Sequence, residues 1–202
     1  MRIFATSAIL AVLAGSQLAV AQDTAPSASS SASVTVKPKA PAVLRAEELD
    51  RLFAQLHVEG AEVRAAGVEQ KIWANWGRND SITAEVLLGQ ATKAMNAEEF
   101  QTAEDILDRL LEARPEYAEA WNRRATLHFL ARRYDKSLAD IDKVLELEPR
   151  HFGALSGRGM ILETQDKPDE ALAAYREALS VNPFMSAVKE KVKQLEKLRP
   201  DI

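Results

Sequence analysis

The side chains of this sequence that could do chemistry are few and scattered. Its three histidines, His57, His128 and His151, lie far apart, and none stands one helical turn from a second histidine, so no helix carries a ready metal-ligand pair. Asp140 and Asp142 come nearest to a carboxylate pair. Two residues apart on a helix, they point to different faces and cannot easily share a substrate or metal. There is no glycine-rich phosphate loop, no Gly-x-Ser-x-Gly elbow and no nucleophile with an evident base. The sequence holds no cysteine, which removes disulfides, thiol catalysis and the lipid-modified cysteine of a bacterial lipoprotein. No catalytic, metal-binding or cofactor-binding residue is assigned, and the expectation is a protein that acts by binding.

The elements that would position a binding surface are helices. Pro115, Pro149 and Pro183 stand 34 residues apart, and the blocks 84–117, 118–151 and 152–185 align without insertion. The eighth place reads Ala91, Ala125, Gly159; the twentieth Ala103, Ser137, Ala171; the twenty-fourth Leu107, Ile141, Tyr175; the twenty-seventh Leu110, Val144, Ala178. Small residues recur where two helices must approach closely, and larger apolar ones recur where a gap must be filled. Within the second block, 118–131 and 134–147 each read as an amphipathic helix. Proline inside a helix costs about 3 kcal/mol, so Pro149 marks the end of the second. The short Arg132-Arg133 link forces an antiparallel hairpin. One hairpin cannot bury both faces, so neighbours stack into an all-α superhelical solenoid with an inner groove.

A 34-residue unit with this signature resembles the tetratricopeptide repeat (TPR), and the likeness spans 84–185 in three repeats. The sequence departs from the family at the seventh place, usually leucine, with Gln90, Arg124 and Arg158, and at the eleventh, usually tyrosine, with Ala94, His128 and Leu162. His128 therefore reads as a buried structural histidine and His151 as a surface turn residue. Arg124 replaces leucine on a packing side and needs a carboxylate. The resemblance suggests Asp140 across the hairpin, the other reading being that Arg124 contacts a ligand. In the family the first helix of each hairpin lines the concave face, which implies a protein-binding groove at Leu88, Thr92, Met95, Asn122, Arg123, Thr126, Phe129, Ser156, Met160 and Glu163. The alternative for Leu88, Met95, Phe129 and Met160 is interior packing. Some family members hold a peptide's terminal carboxylate with lysine, asparagine and arginine. Here the corresponding places are Leu88, Thr92, Arg123, Gly153 and Gly157, of which only Arg123 fits, so an apolar or aromatic segment is the better-matched ligand.

Either side of the repeats the sequence changes character. Leu49, Leu52, Phe53 and Leu56, then Val68, Ile72, Trp73 and Trp76 with Gly60 between, read as a degenerate TPR-like hairpin over 44–83. In the 34-residue frame it caps the N-terminal end of the stack, with Phe53 placed like Trp121 and Trp73 like Ile141. Val188, Val192, Leu195 and Leu198 line one face of a charged capping helix in 186–202. At the start, Arg2, an apolar stretch from Ile3 to Leu13 and the small-x-small run Ala19-Val-Ala21 read as a signal peptide over 1–21, cleaved after Ala21. A membrane anchor is the competing reading, and the apolar stretch is short for one. Residues 22–43, rich in Ser, Ala, Thr and Pro, read as a disordered linker.

The 26 basic residues are outnumbered by 30 acidic ones, for a net charge of −4, which argues against nucleic acid as a partner. The whole sequence looks like small periplasmic TPR proteins of α-proteobacteria, which are associated with envelope integrity and, in host-associated bacteria, with virulence. The resemblance implies a non-enzymatic periplasmic adaptor without a membrane span in the mature chain, binding an envelope protein through an extended or helical segment. The alternatives are an accessory or regulatory subunit of a cell-wall enzyme and, more remotely, an enzyme with an unrecognised site.

Overall fold

A computed structural model of the protein describes residues 40–198. The expected signal peptide and its expected cleavage site, residues 22–39 of the expected linker and the last four residues lie outside the described residues. The described chain is all-α: α1 (Pro41–Leu56), a single 3-10 turn (Ala61–Val63), α2 (Ala65–Trp76), α3 (Ile82–Asn96), α4 (Phe100–Ala113), α5 (Ala118–Leu130), α6 (Tyr134–Leu147), α7 (Phe152–Thr164), α8 (Pro168–Val181) and α9 (Ser186–Lys197). Helix α1 takes in Pro41–Val43, which the sequence reading gave to the linker. Proline at the first helical position lacks only an amide that would be unpaired there anyway.

Helices α3/α4, α5/α6 and α7/α8 form the three hairpins of the repeats. The small-residue places close each one: Ala91 and Ala103, Ala125 and Ser137, Gly159 and Ala171 are all buried. A Cβ at Gly159 would lie 2.6 Å from the Tyr175 ring, so this crossing has no room for alanine. Each hairpin turns at its fifteenth place, where Glu98, Arg132 and Asp166 hold left-handed backbone at φ 59°, 57° and 57°. The next residue in each case donates its N–H to a carbonyl five residues back: Glu99 to Ala94, Arg133 to His128, Lys167 to Leu162. The same helix-ending motif thus repeats three times without glycine, whose absence strains each turn slightly.

Neighbouring repeats are pinned alike. Arg124 reaches back to Asp108 at 2.8 Å and Arg158 to Asp142 at 2.5 Å, each from the seventh place of one repeat to the twenty-fifth of the last. Helix α9 continues the pattern as a lone first helix, with Val188 and Leu195 buried against α8 residues and Val192 half-buried beside them.

The N-terminal hairpin departs from expectation. It does not stack in front of α3 as one more repeat. It lies along the edge of the solenoid, across the turns that join successive units. Its buried residues Leu49, Leu52, Phe53, Leu56, Val68, Ile72 and Trp76 pack with Phe152, with Val181 at the end of α8, and with Phe184 and Met185 beyond it. The Tyr117 hydroxyl donates to the Gly77 carbonyl; Arg150 pairs with Asp50 at 2.8 Å and lies 4.6 Å over the Phe53 ring; Asn182 donates to Glu69 at 3.3 Å. The indoles explain the placement. Trp73 and Trp76 find flat partners in His151 and Phe152 at ring separations of 4.0–5.5 Å.

Candidate protein-binding groove

The concave face is built by α3, α5 and α7, and its residues differ in size along the stack. Over the first repeat it is filled. Leu88 and Met95, expected in the groove, are buried in a cluster with Leu107, Leu110 and Tyr117, which makes them packing residues. Thr92 beside them is half-buried and donates its hydroxyl to the Leu88 carbonyl.

Between α5 and α7 the face opens. A pocket of about 170 Å³ is bounded by Asn122, Thr126 and Phe129 from α5 and by Gly153, Ser156, Gly157 and Met160 from α7, with Ala125, Ser137, Ile141 and Ile161 as its floor. It exists because α7 presents Gly153, Ser156 and Gly157 where α5 presents Glu119, Asn122 and Arg123 at the same places of the repeat. Gly153 and Gly157 stand one turn apart on the same helix face. A Cβ on Gly157 would meet only Ile141 at 3.7 Å, an ordinary contact, so nothing in the packing forbids a side chain there. Gly153 is constrained from the other side, because a Cβ would sit 2.4 Å from the Trp73 ring. Five of the ten expected residues, Asn122, Thr126, Phe129, Ser156 and Met160, line this one pocket.

Polar clusters bound it at both ends. At the end near α2, the buried carboxylate of Glu119 accepts from Asn122 at 3.0 Å and pairs with Arg123 at 2.8 Å and the buried His151 at 3.2 Å. His151 accepts the Ala154 amide on Nδ1, which leaves Nε2 to donate to Glu119. It is therefore not a surface turn residue: it caps α7, holds Glu119 and stacks on Trp76. Arg123, half-buried and tied to Glu119, does not line the pocket. At the far end Glu163 accepts from Tyr175 at 2.9 Å and from Lys191 of α9 at 2.8 Å. Burial opposes ionisation of Glu163, but these two donors outweigh it and hold the carboxyl below its usual range; burial and the same carboxylate push the Tyr175 hydroxyl upward. Phe129, Met160, Glu163 and Lys191 line a second, shallower hollow there, so the apolar edge ends against the Glu163–Lys191 pair.

Behind α5, Arg124 makes a two-pronged pair with Asp140 at 2.7 and 2.9 Å, the cross-hairpin partner the repeat pattern suggested, and a further bond to Asp108. Asp140 and Asp142 serve different arginines and form no shared site. His128 is buried with Nε2 3.5 Å from Asp140; burial lowers its pKa despite that neighbour. Among the described residues no group of three His, Asp or Glu side chains is arranged to hold a metal ion, and no helix is long and apolar enough to cross a membrane. Sequence reasoning missed Gly157 as a determinant of the pocket. The available signal was two glycines one turn apart inside a helix, where each costs about 1 kcal/mol against alanine.

A sequence profile of the family described as tetratricopeptide repeat matches residues 88–146 and 131–185. A TPR repeat-containing protein of Rhizobium etli is 35% identical over 195 residues, covering 96% of this chain and 94% of that one. The chain belongs to the tetratricopeptide repeat family. The small glutamine-rich tetratricopeptide repeat-containing protein 2 of Saccharomyces cerevisiae is 30% identical over 98 residues, which is 48% of this TPR chain and 28% of that protein. Among solved structures, the first TPR of Spaghetti (RPAP3) bound to HSP90 peptide SRMEEVD superposes with a TM-score of 0.56 at 20% identity, over 60% of this chain and 97% of that one. The Sgt2 TPR domain from Aspergillus fumigatus gives 0.55 at 18% identity, over 58% and 80%. At these identities the structural likeness shows the TPR solenoid alone.

Proposed function

We propose that this TPR protein is a non-enzymatic adaptor of the bacterial cell envelope, exported to the periplasm, that captures another protein by taking an apolar side chain of an extended or helical segment into the pocket between α5 and α7. The observation that carries the reading is the pair Gly153 and Gly157, which opens an apolar-floored cavity where the first repeat is solid. Its volume of about 170 Å³ suits one large aliphatic or aromatic side chain. Asn122 and Ser156 offer polar contacts beside that opening, and Phe129 and Met160 give it adaptable apolar edges. A terminal-carboxylate ligand fits poorly: Arg123, the one matching residue, is already engaged by Glu119. The signal-peptide pattern read in residues 1–21 supports the periplasmic assignment, and membership of the tetratricopeptide repeat family supports an adaptor over an enzyme.

A photo-crosslinking residue in place of Met160, used in intact cells, tests this. The adaptor reading predicts one dominant envelope-protein adduct. Hydrolysis of isolated cell-wall material by the purified protein alone would overturn it. Recovery of the protein with an intact Met1 on a membrane-bound species would contradict the soluble periplasmic assignment.

A further inference from the structure

In the stack, each first helix turns its third, seventh and tenth places toward the second helix of the preceding repeat. In α5 these are Ala120, Arg124 and Leu127, with Ala120 and Leu127 buried against Leu107, Leu110 and Leu111 of α4. In α7 they are Ala154, Arg158 and Ile161, with Ala154 and Ile161 buried against Ile141 and Val144 of α6. In α3 the same places are Val86, Gln90 and Lys93, and all three are exposed. Val86 is 51% exposed, and Ile82 one turn earlier is 81% exposed. A hollow of about 380 Å³ beside them is lined by Gln90, Lys93, Ala97, Glu99, Thr102 and Ile106. The face stays open because the N-terminal hairpin straps the edge of the solenoid. The opposite end is finished differently: α9 presents Lys193 and Glu196 at the eighth and eleventh places, where a further hairpin would need small or apolar residues.

We propose that the open face of α3 docks an amphipathic helix of a partner protein, which continues the stack as the second helix of a preceding repeat would. The chain itself supplies the pattern required. The segments that cover this face in the next two repeats are Leu107-Asp-Arg-Leu-Leu111 and Ile141-Asp-Lys-Val-Leu145: apolar, aspartate, any, apolar, apolar. In both the aspartate pairs with the seventh-place arginine, Arg124 or Arg158. Here it would meet the Gln90 amide, with the Lys93 ammonium one turn along. Among the described residues a second copy offers no such helix, because α4, α6 and α8 each already carry the first helix of the following unit.

The test uses the full mature chain and, as probe, a labelled synthetic peptide with the sequence of residues 134–148. Saturable binding is expected, weakened at least about tenfold by Val86→Asp and by Ile82→Asp. Lys93→Glu should weaken it less, and a peptide with Asp142→Lys should regain affinity for that variant. These substitutions are at the surface, and an unchanged melting curve verifies that the fold is intact. Absence of saturable binding overturns the proposal, as does a peptide that binds Val86→Asp as well as the parent. Loss of binding in Phe129→Ala but not in Val86→Asp would move the contact to the groove and overturn it too. Light scattering that shows a dimer, dissociated by Val86→Asp, would assign the face to a second copy instead.

Discussion

The concave face has two stretches made from the same places of the repeat. Over α3 it is solid, with Leu88 and Met95 turned into the core; between α5 and α7 it is hollow, with Phe129 and Met160 at the rim. The folds beneath are alike, with the same closed hairpin crossings and left-handed turns. The difference lies in three small residues of α7, Gly153, Ser156 and Gly157, which stand at the places where α5 has Glu119, Asn122 and Arg123. Binding capacity in this solenoid is therefore a matter of local side-chain volume on a constant frame.

The largest effects should separate the two stretches by stability. Leu88→Ala and Met95→Ala remove buried chains and should each cost about 2–5 kcal/mol in urea unfolding. Met160→Ala, at 44% exposure, should stay within about 0.5 kcal/mol. Equal losses would erase the distinction between solid and hollow. Next in size, Gly159→Ala attacks the crossing under the pocket by driving a methyl into the Tyr175 ring and should cost about 1–3 kcal/mol, read as a lowered melting temperature.

A smaller effect concerns His128, behind the helix that both stretches share. Burial lowers its pKa in the folded protein, so the unfolded chain takes up a proton at higher pH than the folded one does. Stability should therefore fall as the pH drops through 6.5, the unperturbed value, and stop falling below the folded pKa. Denaturant midpoints measured across this window should flatten in His128→Leu, which installs the residue found at the eleventh place of the third repeat.

Most of the frame was legible in the sequence because its constraints are local and periodic. Prolines at a fixed spacing and small residues at the crossings each pointed to one geometry, and of the two readings of Arg124 the fold realises the pair with Asp140. The N-terminal hairpin was not legible. Its helices could be read from Leu49 to Trp76, but where a hairpin docks depends on contacts distant in sequence, such as Trp76 on His151 and His57 on the Ser180 carbonyl, 123 residues further on. His151 was misread for the same reason: beside Arg150 at the repeat joint it reads as exposed, but Glu119 of α5 and the indoles of α2 enclose it. Half the groove was found because family position implies concavity. Leu88 and Met95 were not distinguishable from Phe129 and Met160 by residue type, since burial depends on what stands opposite.

The most direct test of the groove is Gly157→Leu, assayed for capture of the protein that crosslinks at position 160. The new side chain begins in ordinary contact with Ile141 and extends into the hollow, and replacing glycine favours the helix. The account predicts a melting temperature at or above that of the parent, with capture reduced at least about tenfold. Undiminished capture by this stably folded variant would contradict it and show that recognition lies on another face.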